Sequence, residues 1–411
     1  MPEKDVIVVG GGPAGTTTAA LVAEQGYDVT LFERNAEPTF KIGESLMPGT
    51  YWTFKRLGLL EKLSKTAYPR KYSVQFYGAS GRASAPFYFN QNDSNESSVT
   101  WQVLRSDFDR MMQEHAAEKG ADVVLGASVL EVLFEGERAS GVRVRMANGD
   151  IEEMACRVVV DASGQSALLS RKLKISRSEP TLKKASVFTH FENGVRDKGI
   201  DEGATLILNT SNKDSWFWYI PLPENRVSVG VVGDIDYLFG DRALDAQTLF
   251  DRELALCAPM VERLSSATQV FPMKTTRDFS YRADRIAGEG WVLVGDAFGF
   301  LDPVYSSGIF LALKSGEMAG DAIVEGLRTD DLSEACLGRF CAEYLKGMES
   351  IRKLVYAFYS SDFNFGTFLK AYPDCQQEIV DILSGKVYDV DVTPLFESMS
   401  KMCVLPESSW A

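Results

Sequence analysis

Histidine is almost missing from this 411-residue chain, which has two, His115 and His190, far apart in sequence. Its six cysteines, Cys156, Cys257, Cys336, Cys341, Cys375 and Cys403, include no CxxC pair. A Cys/His zinc site therefore lacks ligands and a disulfide framework lacks its spacing, so no metal is expected and the thiols should be reduced. Cationic charge is also short: Lys plus Arg is 43 against 57 for Asp plus Glu, giving 43 − 57 = −14. A phosphate backbone binds through cations, so nucleic acid is excluded as a partner. No apolar run approaches the roughly 20 residues that a membrane-crossing helix needs. The opening "MPEKDVIVVGGG" has neither a basic leader nor a long apolar core. A cytoplasmic, water-soluble protein with no membrane partner is expected.

What the chain does have begins at once. "DVIVVG" reads as a strand, "AGTTTAALVAEQG" as a helix and "DVTLFER" as a strand, a βαβ opening. Between the first strand and the helix, Gly10, Gly12 and Gly15 fit G-x-G-x-x-G, with Pro13 and Ala14 between the last two. The first glycine permits a tight turn, the second a close approach of backbone to a pyrophosphate, and the third close helix–strand packing. Glu33 closes the second strand 33 − 15 = 18 residues beyond the last glycine, where a carboxylate accepts ribose hydroxyls, and Arg34 follows it. Strand, loop, helix, strand and acid are in register for a dinucleotide.

Further on, "RSDFDRMMQEHAAEKG" reads as a helix ending at Gly120, and the stretch to "RVVVDASG" as several strands joined by the turns "EGE" and "NGD". From about 180 to 280 the sequence is strand-rich and aromatic, as in an antiparallel sheet. "NQNDSNESS", residues 90 to 98, reads as a polar surface loop. "GWVLVGDAFGF" returns to a short apolar strand, and "SSGIFLALKSGEMAGDAIVEGL" and residues 331 to 370 are helical in period.

The glycine loop, Gly295-Asp296 after one apolar strand, and Asp161 and Gly164 after another together resemble the FAD fingerprint of the flavoprotein hydroxylase superfamily. That resemblance implies FAD, with Gly295-Asp296 on the ribityl chain and Arg105 of "LRSDFD" near the pyrophosphate; Asp161 also suits a helix cap. It implies an α/β fold: a Rossmann-like FAD-binding domain of the hydroxylase/glutathione-reductase type, an antiparallel-sheet second domain and a helical C-terminal region. The expected divisions are 1–75, 100–175 and 280–330 for the discontinuous FAD-binding domain, 76–99 and 176–279 for the substrate domain, and 331–411 for the helical region.

"DSWFWYIPL" sharpens the family. Alternation sends Trp216, Trp218 and Ile220 to one face of a strand and Phe217 and Tyr219 to the other. With Pro221 these residues resemble the WxWxIP motif of the flavin-dependent halogenases. "FLDPVYSSG" matches that family's FxxPxxSxG through Phe300, Pro303, Ser306 and Gly308, and "KIGESLMPGT" its GES loop near the isoalloxazine through Gly43, Glu44, Ser45 and Pro48. Lys71 in "PRKYSVQFYG" falls at the family's catalytic lysine.

The resemblance implies that reduced FAD (FADH2), O2 and chloride or bromide give hypohalous acid, which a lysine passes to an aromatic substrate. Two indoles on one face would form a dry wall that keeps the substrate from the flavin. The loop Ser306-Ser307-Gly308 before a helix would take the halide on backbone N–H groups. A separate NAD(P)H-dependent flavin reductase would supply FADH2. The short C-terminal part, dense in aromatics around Tyr356–Phe368, points to a phenol or pyrrole, free or tethered to a carrier protein, in secondary metabolism. Both histidines are expected to serve the fold. An aromatic monooxygenase, a geranylgeranyl-reductase-like flavoprotein and a non-catalytic flavoprotein share the FAD fingerprint; halogenation of a scavenger by reduced FAD, oxygen and bromide separates the first reading from these.

Overall fold

The computed structural model describes residues 3–91, 94–241, 244–277 and 279–407. Positions 92 and 93 of the expected polar loop lie outside the described residues.

The opening βαβ unit forms as its pattern demands. Lys4–Val9 pairs in parallel with Val29–Glu33 on one side and with Ile151–Asp161 on the other. Val6, Ile7 and Val8 are wholly buried, as a central parallel strand covered on both faces requires. Each such side chain contributes roughly 1.5–3 kcal/mol by burial, an upper bound because the unfolded chain is itself partly compact. Trp291–Leu293 adds to Ile151–Asp161, and Asp122–Leu125 to Val29–Glu33. A hairpin of Ser128–Glu135 and Arg138–Arg145 completes the first sheet, turning at Gly136, whose φ of 64° needs glycine.

A ten-stranded second sheet is built around the 17-residue strand Ser176–Glu192. Arg226–Asp234, Ser215–Pro221 and Thr205–Asn209 follow as antiparallel neighbours. Ser73–Tyr77 then pairs with Thr205–Asn209, and Phe279–Ala283 pairs with Ser176–Glu192. The boundaries expected at 75/76 and 279/280 therefore cut through strands of this sheet. Composition marks no edge there, because pairing across more than 100 residues is set by register and not by local pattern.

The tryptophan strand behaves as its alternation requires. Phe217 and Tyr219 enter a separate core with Leu249 and Phe250, on the outer face of the sheet. Trp216, Trp218 and Ile220 belong to the main core, facing the first sheet.

Two helices of the first layer pack tightly against each other. Pro13–Ala23 crosses Gly308–Thr329 so closely that a Cβ on Gly316 would lie 2.5 Å from the Ala14 carbonyl oxygen, and Thr18 Oγ1 donates to the Gly316 carbonyl at 3.0 Å. In the C-terminal part, the helix Cys341–Tyr359 packs with Tyr344, Met348, Ile351, Leu354 and Val355 fully buried. It is part of the common core. Among the described residues no helix is long and apolar enough to cross a membrane, and no cluster of three metal-ligating side chains occurs.

Candidate active site

A cavity of about 520 Å³ runs from the glycine loop to the tryptophan strand. At one end Gly10 adopts φ of +114°, and a Cβ there would sit 2.3 Å from the Ala162 carbonyl oxygen. Gly12 is different: a Cβ would meet nothing, because the residue opens on the cavity at the start of Pro13–Ala23. Pro13 and Ala14 line the same end. Gly15 does not, for it packs against the Gly10 carbonyl, the close helix–strand contact its place in the motif requires.

Glu33 lines the cavity and is fixed by the loop it faces. Its Oε2 accepts from the Gly11 N–H at 2.9 Å, and its Oε1 accepts from the Asn35 N–H and Nδ2 at 3.0 and 2.8 Å. Arg34 lines the wall beside it. Arg105 also faces in, yet its guanidinium already grips Asp109 through two bonds of 2.9 and 3.0 Å. Asp296, next to Gly295 on the cavity wall, has no hydrogen-bond donor on its carboxylate among the described residues. Burial pushes its pKa up to about 6, against the pull of the Arg105 charge.

Asp161 requires a correction. It does not line the cavity; its carboxylate accepts from the Ser163 and Leu169 N–H groups at 3.0 and 2.7 Å. It therefore caps the short helix Leu168–Lys172. The neighbouring Gly164 does open on the cavity, with space where a Cβ would be.

The other end of the cavity is aromatic. Trp216 and Trp218 line it side by side, ring centroids 6.4 Å apart, with Ile220 beyond. Neither indole N–H is wasted: Trp218 Nε1 donates to Ser228 Oγ at 3.1 Å and Trp216 Nε1 to Tyr359 Oη at 3.0 Å. Tyr359 in turn donates to Asp302 Oδ2 at 2.8 Å. Asp302 is fully buried, and burial pushes its pKa up to about 6 although the Tyr359 and Val304 bonds favour its charged form. Its Oδ1 accepts from the Val304 N–H at 3.0 Å and so shapes the turn that leads to Ser306, whose φ is +59°. Pro303, Ser306 and Gly308 line the cavity at the start of Gly308–Thr329. Ser307 lies behind them, its buried hydroxyl without a protein partner.

Lys71 is outside the cavity wall, one residue layer back. Its Nζ donates to Ser45 Oγ at 2.8 Å and to the Leu46 carbonyl at 2.9 Å. Ser45 lines the cavity and meets Thr205 Oγ1 at 2.8 Å. The lysine is 2 % exposed, pairs with no carboxylate among the described residues, and is held by burial at a pKa of about 7. Glu44, also on the wall, contacts His190.

These features fit FAD. Gly12, Gly164 and Gly308 leave open wall where backbone must approach a ligand, Glu33 stands at the expected ribose end, and the unpartnered Asp296 wants hydroxyl donors. Residues 3–331 match the family model for the FAD binding domain. A 1H-pyrrole-2-carbonyl peptidyl-carrier-protein chlorinase from Pseudomonas fluorescens is 28% identical, covering 99% of this chain and 94% of its own. The flavin-dependent halogenase armH3 of Armillaria mellea is 30% identical over 81% of this chain and 70% of its own. The chain belongs to the flavin-dependent halogenases. The solved structure of the flavin-dependent brominase Bmp2 superposes on this halogenase with a TM-score of 0.87, at 27% identity, covering 97% of this chain and 98% of that one.

Of the motif residues singled out in the sequence of this halogenase, all but Gly15, Pro48, Lys71, Asp161, Pro221 and Ser307 line this cavity. Sequence reasoning missed Asp302 and Tyr359 as partners of the wall. Asp302 lay inside a quoted motif, and Tyr359 stood in an aromatic stretch that gives no spacing signal. His190, expected to serve the fold alone, reaches Glu44 across 146 residues.

Proposed function

We propose that this halogenase acts in the cytoplasm on a phenol- or pyrrole-type ring, with the pyrrole carried by a carrier protein, and that a separate reductase delivers its FADH2. The carrier reading rests on the pyrrole-carbonyl carrier-protein chlorinase, which matches nearly the whole chain. When bound, reduced FAD supplies the electrons with which O2 oxidises halide to hypohalous acid. The chain's own residues then have separable tasks. Gly10, Gly12 and Glu33 seat the dinucleotide, and Asp296 accepts hydroxyl hydrogens from it. Backbone N–H groups after Ser306 favour the halide. Trp216 and Trp218 keep both water and the ring away from the cavity, strengthening every polar interaction inside.

Lys71 captures the oxidant. Its amine attacks hypohalous acid, forming an N–halogen bond and releasing water; the aromatic ring then takes the halogen and the nitrogen regains the ring proton. The single observation that carries this reading is a buried lysine without a counter-ion among the described residues, one hydroxyl removed from the cavity. The test is Lys71→Ala with reduced FAD, O2, bromide and a pyrrole substrate. Bound FAD and FADH2 oxidation should persist while halogenated pyrrole disappears. Unchanged product yield would remove Lys71 from the mechanism.

A further inference from the structure

Glu44 and His190 form a buried acid–imidazole pair that the steps above do not use. Both are 1% exposed, and His190 Nε2 meets Glu44 Oε1. Glu44 Oε2 and His190 Nδ1 have no hydrogen-bond partner among the described residues. No lysine or arginine pairs with Glu44 among the described residues, and the imidazole of His190 is the group that meets its carboxyl. Glu44 faces the cavity. The pair also stands at its aromatic end: Phe40 lies 4.1 Å from the His190 ring and 5.5 Å from Phe188, which lies 5.9 Å from Trp218.

The reaction read above has a proton deficit. FADH2, O2, one halide and one proton give FAD, hypohalous acid and one water; halogen transfer through an amine then consumes no further proton. A cavity walled by two indoles admits solvent protons slowly at neutral pH, so a positioned donor speeds the step. We propose that Glu44 delivers the proton consumed when halide is oxidised, and that His190 is the positioning residue that holds the Glu44 carboxyl and reloads it from solvent between turnovers. This rests on the halogenase reading. Other groups lie around the pair: Ser45, with Lys71 behind it; Arg105 beside Gly43; and Lys274 over the Phe40 ring at 4.5 Å. Asp296 stands with Gly295 near Ala14, at the glycine-loop end, and so away from the indoles.

The experiment compares wild type, Glu44→Gln and His190→Gln with FADH2, O2, bromide and a hypohalous-acid scavenger. Halogenated scavenger per FADH2 oxidised is the readout, with hydrogen peroxide as the product of failed turnovers. At about pH 8 Glu44→Gln should lose about a hundredfold in this ratio, the low side of what a positioned general acid contributes. The ratio should recover as pH falls, because hydronium replaces the missing donor, while the wild-type ratio stays flat. His190→Gln should show the same trend, smaller. A wild-type ratio in Glu44→Gln, or a loss independent of pH, would overturn the proposal. So would failure of both variants to hold FAD, which would make the pair part of cofactor retention. Absence of halogenated scavenger from wild type itself would overturn the parent reading as well, and is distinguished by that control alone.

Discussion

Two acceptors meet the Lys71 nitrogen, the Ser45 hydroxyl and the Leu46 carbonyl, and a neutral amine has two N–H bonds to give them, leaving its lone pair free. An ammonium would carry a third donor with no protein acceptor and a charge with no partner, which is why burial lowers its pKa from 10.5 to about 7. Halogen transfer in single-turnover experiments should therefore rise with pH through a midpoint near 7. Lys71→Arg, charged at every accessible pH, should stay inactive, and a pH-independent wild-type rate would refute the amine as nucleophile. The stability sign is the matching one. The unfolded chain binds the extra proton between about 7 and 10.5, so the cost of burying Lys71 is fully present below 7 and disappears above 10.5. Lys71→Met should gain stability over wild type as pH falls through that window in denaturant titrations.

Asp302 titrates in the opposite sense. Its carboxyl is raised from 3.8 to about 6 by burial, so the folded state binds the extra proton and stability is lost as pH rises from about 4 to about 6. Asp302→Asn should flatten that slope by an amount on the order of 2–3 kcal/mol. Thermal unfolding at pH 4 and 6 measures the difference.

At the scale of elements, the wall is held from behind. The strand Ser215–Pro221 presents Trp216, and the end of the helix Cys341–Tyr359 grips it through Tyr359, itself clamped by Asp302 and lying under Lys184 at 4.0 Å. Tyr359→Phe leaves the indole N–H and the Asp302 carboxylate each short of a buried partner, a cost of about 1–3 kcal/mol. It should also loosen the barrier, so that halogenated product per FADH2 falls while FAD affinity holds; an unchanged ratio would show that the wall stands without this prop. The strand and its alternation were legible because period two is written in adjacent residues. Its prop was not, since 143 residues separate Trp216 from Tyr359 and nothing in either neighbourhood names the other. The same holds for the contacts of Ser45 with Lys71 and of Glu44 with His190. Contiguous motifs located the dinucleotide end of the site, whereas the oxidant-handling end is assembled by sheet pairing that sequence spacing does not encode.

The whole molecule explains why the expected domains blur. The cavity has walls from both sheets, and the helix Cys341–Tyr359 contributes side chains to the common core and not to a separate unit. Removal of residues 331–411 would expose Tyr344, Met348, Ile351, Leu354 and Val355 together with the faces they cover, including Phe298, 5.8 Å from Tyr344. Such a truncation should aggregate or fail to retain FAD, judged by light scattering and flavin absorbance after gel filtration. A monomeric, yellow fragment would show that the FAD-binding part folds alone.

Glu44 and Ser45 are successive residues, yet one touches a histidine of the second sheet and the other a sequestered amine. Their loop is stitched at both ends, by the Val103 N–H on the Glu44 carbonyl and by Lys71 on that of Leu46. It is therefore fixed from both sides, with the acid and the amine contact on successive residues. A substitution that displaces the Ser45 hydroxyl would thus displace its neighbour's carboxyl as well, and neither contact can be redesigned alone.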